Sequence, residues 1–425
     1  MASWLPIPID SDFSLQNLPY GVFSTDADPT RRIGVAVGDH VLDLKVLTRE
    51  QVFKDIKFDD STLQEKTLNA YAGLGQHVHS QIRKKLQELL RDNTLLGHVL
   101  RDNHDLRQKC LVSMQSAIMH LPVTVGDFTD FFVGLHHANN CAGFLKPGAD
   151  ITQVLPSFWD IPSGFHGRSS SVVVSDTPIH RPKGQYREGG KPVSGTCRDL
   201  DFEVEFGVVI GQPSQMGEAV PVDQAEGHIF GFVLLNDWSA RDFQKWEPSA
   251  PFTCKNFGTS ISPWIVPFEA LEPFRVSPIK VDRPLPDYLM QKETKSIFEV
   301  PIRATLEVDH TRYAVAECNT KFMVFSFAQM IAHHTRGGCP LRPGDIMGTG
   351  TMSGPTKSEE GCFLELSRYG EQPCEMSAEG SSGERIRRTY LEDGDIVEFA
   401  AQIRTKDGLE NVGFGICRGE VLPAN

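Results

Sequence analysis

Acidic side chains recur in three short runs of the sequence, and their types point to metal chemistry. Asp130 and His137 lie in GDFTDFFVGLHHANN, Glu203 and Glu205 in DLDFEVEFGVVIG, and Asp237 in LLNDWSARDFQKWE. A cage made only of carboxylates selects hard cations such as Ca²⁺ or Mg²⁺ over zinc. Such a cation polarises a carbonyl group, and a nearby histidine can activate water. Together these residues predict a metal-assisted hydrolase.

The middle run has the periodicity of a strand. Asp201, Glu203 and Glu205 alternate with apolar residues, so in a strand the three acids share one face and the apolar side chains face a core. Like charges on one face repel each other, and a bound cation removes that cost. The alternative, equally compatible with the pattern, is the solvated polar face of an edge strand. The acids of the other two runs favour the metal.

Asp237 follows a run, GHIFGFVLLN, that is too apolar for an exposed strand, and the next residues indicate a turn into a helix. An isolated Asp at this position is commonly a helix N-cap. Arg241 is four residues further on and falls on the same helical face. It could pair with Asp237 or reach a developing oxyanion.

Later segments add three candidates. Lys255 lies in TCKNFGTSISPW with apolar neighbours, Thr351 lies in the glycine-rich run LRPGDIMGTGTMSGP, and Glu365 alternates with apolar residues in GCFLELSRYG. Glycine-rich loops expose backbone N–H groups to anionic ligands. The alternatives are a solvated charge, a tight turn and a plain strand face. His333 and His334 are interpreted as structural, because nothing links them to the acids.

The composition excludes several classes of protein. The chain has 425 residues, a net charge of −13 and a pI near 5.5, which argues against nucleic acid as a partner. No run of apolar residues is long enough to span a bilayer, and the N-terminus lacks the features of a secretory signal. The nine cysteines are scattered without a CxxC pair, which indicates reduced thiols and a cytoplasmic location.

The chain is expected to form two domains. Residues 20–45 contain strand-like runs with a GDH hairpin turn. Residues 61–100 are predicted to be helical, with a capping box at Ser61 and Gln64 and apolar side chains at a 3.6-residue period. Short strands with Gly and Pro between them dominate from about residue 121. We therefore predict domains at 1–120 and 121–425.

Matches along nearly the whole chain, in order, closely resemble the fumarylacetoacetase family in its eukaryotic long form. They include DSDFSLQNLPYGVFST, TLNAYAGLGQ, HGRSSSVVVSDTPI, GHIFGFVLLNDWSARDFQKWE, FGTSISPW, LRPGD and GFGICRGEVLP. The resemblance implies a mainly β fold with some α, in which a small N-terminal SH3-like β-barrel precedes a larger C-terminal mixed β-roll. It also implies a cytoplasmic homodimer that acts in tyrosine and phenylalanine catabolism.

The resemblance also implies roles for individual residues. The expected calcium ligands are Asp130, Glu203, Glu205 and Asp237, and the positions matching a second, magnesium site are Asp237, Lys255 and Thr259. His137 matches the catalytic base, and Glu365 matches the acid that orients it. The groups expected around the oxyanion and the leaving carbanion are Arg241, Gln244 and Lys255, and the expected substrate contacts include Gln244 and Thr351.

Four substrate-contact positions depart from the family pattern. Phe132, Phe165 and Pro248 stand where the family has tyrosine, and Lys146 stands where it has arginine. Three hydroxyl donors are therefore absent, and a bidentate fork has become a point charge. A site built to hydrogen-bond its substrate rejects analogues that lack the partner by roughly 10⁴-fold. The departures are either drift, compensated by water or backbone, or the mark of a paralogue for a less acidic dicarbonyl compound.

The sequence thus predicts hydrolytic cleavage of a carbon–carbon bond in a β-diketo acid, either fumarylacetoacetate or a less acidic relative, with Ca²⁺ or Mg²⁺ as cofactor. The expected partner is a small dicarbonyl substrate. Two alternatives stay open. A repurposed paralogue could decarboxylate, tautomerise or cyclise a biosynthetic dicarbonyl intermediate, although the His137 and Glu365 pair argues against it. The other is a non-catalytic metal-binding scaffold.

Overall fold

The N-terminal part of the chain is built on an antiparallel sheet. The computed structural model describes residues 2–247, 251–280, 283–380, 383–406, 408 and 410–425. In spatial order the strands of this sheet are Leu111–Ser113, His40–Asp43, Arg32–Val37, Tyr20–Ser24 and Ile118–His120. The predicted GDH hairpin is confirmed: Gly38 turns the chain with a φ of 54°, in the left-handed region that glycine adopts readily.

Helices cover this sheet at Leu44–Arg49, Asn69–Ala72, Gln76–Leu90 and His104–Cys110. The helix Gln76–Leu90 buries Ile82, Leu86 and Leu89, as its apolar period predicted. The predicted capping box at Ser61 is wrong. Asp59 caps the 3₁₀ turn Asp60–Gln64 instead, because its carboxylate accepts a hydrogen bond from the Ser61 backbone N–H.

A mixed sheet forms the centre of the larger C-terminal part. In spatial order its strands are Gly164–Gly167, Phe128–Phe131, Ile346–Gly348, Val204–Ile210, Ile229–Asp237, Thr259–Ile261 and Val172–Val174, and Val266–Pro267 pairs with Ile229–Asp237. Two pairs are parallel, Ile346–Gly348 with Phe128–Phe131 and Thr259–Ile261 with Val172–Val174. These pairings bring strands from distant parts of the chain to one place.

A second sheet lies over one face of the central sheet. Its strands in spatial order are Thr311–Asn319, Pro301–Val308, Ile396–Arg404, Asn411–Leu422 and Ile179–His180. Aromatic rings fill the space between the two sheets: the ring centroid of Phe206 lies 5.4 Å from those of both Phe232 and Phe414. The N-terminal part packs against the other face, where Tyr20 contacts Phe230 at 5.6 Å between centroids.

Shorter elements complete the C-terminal part. The two-stranded pairs are Lys183–Glu188 with Lys191–Thr196, Leu200–Asp201 with Ser239–Ala240, Arg275–Val276 with Ile297–Phe298, and Cys374–Ser377 with Arg385–Arg388. Its helices lie at Leu135–Leu145, Val222–Ala225, Arg241–Trp246, Phe268–Leu271, Phe327–Thr335 and Phe363–Leu366. The expected fold class, mainly β with some α and with the larger part C-terminal, is confirmed. In the described part of the chain, no helix has the length and apolar character needed to cross a bilayer.

Candidate active site

Four buried carboxylates meet at one end of the central sheet. Asp130 lies on the strand Phe128–Phe131, Glu205 on Val204–Ile210, and Asp237 at the end of Ile229–Asp237, while Glu203 directly precedes its strand. One oxygen from each carboxylate lies within 4.8 Å of the other three. All four side chains are buried. The predicted grouping of these acids is therefore present in the structure.

Two glycines, Gly348 and Gly350, contact the carboxylates of the cluster. A Cβ atom on Gly348 would lie 2.7 Å from Glu205 Oε2 and 2.8 Å from Asp130 Oδ1, so a larger residue here would displace these carboxylates. The Gly350 backbone N–H donates to both Asp130 Oδ1 and Glu205 Oε2, each at 3.1 Å. The glycine-rich run before Thr351 therefore supports the acids themselves.

The electrostatics of the cluster suit a cation. Burial, reinforced by the charges of the neighbouring acids, raises the pKa of Asp130 and Glu205 well above their usual values. Glu205 Oε1 is buried and has no hydrogen-bond partner among the described residues. A buried carboxylate oxygen without a partner is costly. A hard divalent cation would supply that partner, so these residues fit one.

Lys255 neutralises part of the cluster. Its ammonium group contacts Glu203, and it lies 2.5 Å from Asp237 Oδ2. Burial alone would lower the pKa of Lys255, but the charges of Asp237 and Glu203 outweigh it and raise that pKa. Thr259, the cross-strand partner of Asp237, donates its hydroxyl to Asp237 Oδ1 at 3.2 Å. Asp237, Lys255 and Thr259, the residues expected at a second cation site, thus lie together. There the protonated Lys255 contributes a positive charge and Thr259 contributes an oxygen.

Asp201 does not join the other acids, so the predicted face of three carboxylates is wrong. The strand is interrupted: Asp201 belongs to the short strand Leu200–Asp201, and the next strand begins only at Val204. The Asp201 carboxylate is fully buried and accepts a hydrogen bond from Arg241 Nε at 2.9 Å. The break in the strand ends the alternation that would have placed Asp201 on one face with Glu203 and Glu205.

Arg241 lies at the rim of the acid cluster. The helix Arg241–Trp246 begins after Ala240, so Asp237 is not its N-cap and does not pair with Arg241. Arg241 Nη2 lies 2.7 Å from Glu203 Oε1, and its Nη1 donates to Gln244 Oε1 at 3.0 Å. The expected oxyanion groups Arg241, Gln244 and Lys255 are therefore connected through their contacts with one another and with Glu203.

His137 and Glu365 form a buried pair beside the carboxylates. His137 Nδ1 lies 2.7 Å from Glu365 Oε2, which also accepts a hydrogen bond from Ser353 Oγ at 2.8 Å. Asn140 Nδ2 donates to Glu365 Oε1 at 2.7 Å. The sulfur of Cys141 lies 3.5 Å from His137 Nε2. Glu365 is held on both oxygens and can therefore fix the orientation of the imidazole.

This pair perturbs its own protonation. Burial would lower the pKa of His137, but neighbouring Cys141 and Glu365 raise it well above its ordinary value. Burial opposes the charge on Glu365, yet His137, Asn140 and Ser353 hold the pKa of that carboxyl below its usual range. Burial opposes the charge on Glu203, but Lys255, Arg241 and His137 lower the pKa of that carboxyl, so the pair interacts electrostatically with the cluster.

Several details of this pair were not predicted from the sequence. Glu365 lies on the short helix Phe363–Leu366, and the alternative interpretation, a plain strand face, is therefore wrong. Asn140 and Ser353 were not identified. Asn140 is three residues from His137 on one face of the helix Leu135–Leu145, which was not predicted from the sequence, and Ser353 looked like part of a simple turn.

The substrate-contact positions are less closely grouped. The ring of Phe132 packs edge-on against His137 with centroids 5.6 Å apart. Phe165 lines a cleft of about 450 Å³, and Lys255 also lines it. Thr351 is buried, and its hydroxyl has no partner in the part of the chain that the structure describes. Lys146 is exposed and donates to Gln153 Oε1 at 3.2 Å.

Pro248 lies outside the described residues. The two histidines interpreted as structural bond elsewhere: His333 Nδ1 lies 2.8 Å from the Tyr288 hydroxyl, and His334 Nε2 lies 3.0 Å from Thr129 Oγ1. Neither of these partners is an acid of the cluster, which agrees with the expectation that the two histidines are structural.

The sequence of the chain matches a family of known proteins. Residues 133–422 match the family model described as fumarylacetoacetate (FAA) hydrolase C-terminal, and residues 16–122 match fumarylacetoacetase N-terminal. The chain is 43% identical to the fumarylacetoacetase of Bos taurus and 42% identical to that of Homo sapiens, over 99% of each chain. It is 41% identical to the fumarylacetoacetase of Emericella nidulans, over 100% of this chain and 99% of the relative.

A solved structure has a similar fold. The fumarylacetoacetate hydrolase of psychrophilic Exiguobacterium antarcticum superposes with a TM-score of 0.51 at 17% identity, covering 96% of this chain and 100% of that one. At this identity the likeness concerns the fold alone.

Proposed function

We propose, because the chain belongs to the fumarylacetoacetase family, that it cleaves fumarylacetoacetate by hydrolysis of a carbon–carbon bond. It is a hydrolase that acts on carbon–carbon bonds in ketonic substances. The observation that carries the proposal is the buried His137–Glu365 pair beside four carboxylates. A base fixed by a second group, next to a cluster that fits a cation, is what water attack on a dicarbonyl compound requires.

The cation-binding residues are Asp130, Glu203, Glu205 and Asp237, with Lys255 and Thr259 beside Asp237. We assign Ca²⁺ or Mg²⁺, because the donors are oxygens. Such a cation, held by these residues, would polarise the dicarbonyl group of the substrate and withdraw charge from it. The orphan oxygen Glu205 Oε1 supports this assignment.

His137 acts as the general base. In its neutral form, His137 donates its Nδ1–H to Glu365 Oε2, and Nε2, which lies 3.5 Å from Cys141 Sγ, accepts a proton from water. Glu365 stabilises the imidazolium that results, and Asn140 and Ser353 keep Glu365 in place. The hydroxide then adds to the carbonyl carbon, and the carbon–carbon bond breaks when the tetrahedral intermediate collapses.

Arg241, Gln244 and Lys255 stabilise the negative charge that develops. Arg241 and Lys255 are buried cations that already balance Glu203, so they need little reorganisation when the oxyanion forms. Gln244 is held by Arg241 through its carbonyl oxygen, which leaves its amide N–H groups free to point to the substrate. The departing enolate is protonated by the imidazolium of His137.

The substrate end of the site differs from the family pattern. Phe132 packs an apolar ring without a hydroxyl against His137, and Lys146 donates a hydrogen bond to Gln153. Phe165 adds a second apolar ring at the cleft. We propose that the site therefore accepts less acidic dicarbonyl compounds in addition to fumarylacetoacetate, with Phe132, Lys146, Phe165, Gln244, Pro248 and Thr351 as its substrate-contact positions.

We further propose a cytoplasmic homodimer that acts in the breakdown of tyrosine and phenylalanine, with domains at 1–120 and 121–425. All nine cysteines are free thiols, which supports a reducing compartment. The residue 120 boundary directly follows the last strand of the N-terminal sheet, Ile118–His120. Sedimentation of the purified protein tests the dimer.

The test of the function is turnover by the purified protein. Fumarylacetoacetate and a neutral β-diketone are each supplied, and loss of the dicarbonyl absorbance is followed before chelation, after chelation, and after Ca²⁺ or Mg²⁺ is restored. We expect cleavage to stop with chelator and return with cation. An isomer or a decarboxylated product of unbroken chain would replace this proposal with that of a repurposed paralogue.

A further inference from the structure

Asp201 is a buried acid with no role in the chemistry described above. Its side chain is fully buried, and both carboxylate oxygens are occupied. Oδ2 accepts hydrogen bonds from Arg241 Nε and from the Leu364 backbone N–H, each at 2.9 Å. Oδ1 accepts from the backbone N–H groups of Phe363 at 2.7 Å and Phe202 at 2.9 Å. One carboxylate therefore satisfies four donors.

These donors belong to both halves of the catalytic machinery. Arg241 begins the helix that also carries Gln244, and both residues belong to the group proposed to stabilise the oxyanion. Phe363 and Leu364 form the first turn of the helix Phe363–Leu366, and Glu365 is the next residue. The two helices come from distant parts of the chain, since Arg241 and Phe363 are 122 residues apart. The Asp201 carboxylate is bonded to both.

We propose that Asp201 is a positioning residue that holds the oxyanion group Arg241 and the histidine-orienting group Glu365 in one fixed arrangement. This inference rests on the proposed hydrolysis. Asp201 keeps the Arg241 guanidinium from rotating about its stem, and it anchors the backbone of the turn from which Glu365 reaches His137. A displacement of about 1 Å in such a group can cost 10²-fold in rate.

Asparagine is the informative replacement, because it keeps the shape but has only one acceptor oxygen. If its oxygen takes the place of Oδ2, the amide N–H groups meet the Phe363 and Phe202 donors. If the amide is reversed, its N–H groups meet Arg241 and Leu364. In either orientation Asp201→Asn loses hydrogen bonds to at least one of the two helices. Asparagine therefore cannot hold both helices as aspartate does.

The chain offers a matched control in its N-terminal sheet. Asp43 is also buried; its Oδ2 accepts from Arg32 Nε at 2.7 Å, and its Oδ1 accepts from the Val46 N–H of the helix Leu44–Arg49 at 3.1 Å. It thus joins an arginine to the first turn of a helix, as Asp201 does, but its partners lie outside the active site. Asp43→Asn reproduces the structural damage without the catalytic consequence.

The experiment compares wild type, Asp201→Asn and Asp43→Asn by kcat, KM, the pH profile of kcat/KM, and thermal unfolding. We expect both variants to lose thermal stability. Asp201→Asn alone should lower kcat by roughly ten- to a hundredfold with a smaller change in KM. Its ascending pH limb should move to lower pH, because a displaced Glu365 supports the imidazolium of His137 less well. A wild-type kcat and pH profile in Asp201→Asn, or an equal fall in kcat in Asp43→Asn, overturns the inference.

Two further outcomes are distinguishable. Absence of turnover in wild type refutes the proposed hydrolysis itself, whereas wild-type turnover with an unaffected Asp201→Asn refutes only the positioning role. If Asp201→Asn is insoluble, Asp201→Glu is measured instead. It keeps the charge and both acceptors but displaces them by one methylene, so kcat should fall similarly, and an unchanged kcat in this variant likewise overturns the inference.

Discussion

Replacing Glu205 by Gln should have opposite effects with and without a cation. In the cation-free protein, Glu205 and three other acids have oxygens within 4.8 Å of one another, and one Glu205 oxygen lacks a partner among the described residues. Two unit charges at that separation repel by about 3.5 kcal/mol at an effective dielectric constant near 20. Proton uptake relieves part of this repulsion, since the pKa of Glu205 is already raised by burial and its neighbours. Glu205→Gln removes the remainder.

We therefore expect the cation-free variant to unfold at a higher temperature than cation-free wild type, most clearly above neutral pH, where the acids are least protonated. With Ca²⁺ or Mg²⁺ present the order should reverse. The cation stabilises wild type through binding to the folded state, and the variant has lost one anionic ligand. The two unfolding curves thus exchange places when the cation is added.

The assay is thermal unfolding of both proteins across a titration of Ca²⁺ and of Mg²⁺, with elemental analysis of the bound metal. Glu398→Gln is the control, because Glu398 is buried and paired with Arg312 on the second sheet, away from the four acids. It should keep the wild-type response to cation. An equal cation-induced shift in wild type and Glu205→Gln would refute the assignment of the cluster as a metal site.

The other predictions concern the base and the substrate end. His137→Ala should bind cation normally and fold, but lose about 10²–10⁴ in kcat, because general-base help is of that size; near-normal turnover would favour isomerisation or decarboxylation. Glu365→Gln should lower kcat less, and its ascending limb of kcat/KM should shift to lower pH, because the Glu365 charge raises the pKa of His137; an unshifted limb would show that Glu365 does not tune the base. The combined Phe132→Tyr, Phe165→Tyr and Lys146→Arg variant should raise kcat/KM on fumarylacetoacetate and depress it on a less acidic dicarbonyl compound, since each regained hydrogen bond to a charged group is worth about 1.5–3 kcal/mol. If wild type already cleaves fumarylacetoacetate as efficiently as any compound tested, the substitutions are drift.

The grouping of the four acids was partly predictable, because three of them lie on, or directly before, strands that the sequence marks clearly. Asp237 ends an apolar run, and Glu203 and Glu205 keep the alternation of a strand. The register was not predictable. The strand Val204–Ile210 pairs with Ile229–Asp237 on one side and with Ile346–Gly348 on the other, and Gly348 in turn pairs with Asp130. The last two pairings join distant parts of the chain, and the sequence pattern does not indicate them.

Asp201 shows why local periodicity fails at such a site. Its alternation with Glu203 and Glu205 continues through Phe202, yet the strand breaks there because Asp201 satisfies donors that come from far along the chain. One of them, the Leu364 N–H, is 163 residues away. The local structure at Glu365 was ambiguous for a related reason, since four residues reading FLEL fit a strand and a single helical turn equally well.

The central claim, hydrolysis of a carbon–carbon bond with water activated by His137, is tested most directly by turnover in H₂¹⁸O. The substrate is fumarylacetoacetate, and the products are analysed by mass. Water attack predicts two separate acids, one of which carries a single ¹⁸O in its newly formed carboxylate, with production of both nearly abolished in His137→Ala. An unbroken product, or cleavage without incorporation of the label, would contradict the claim.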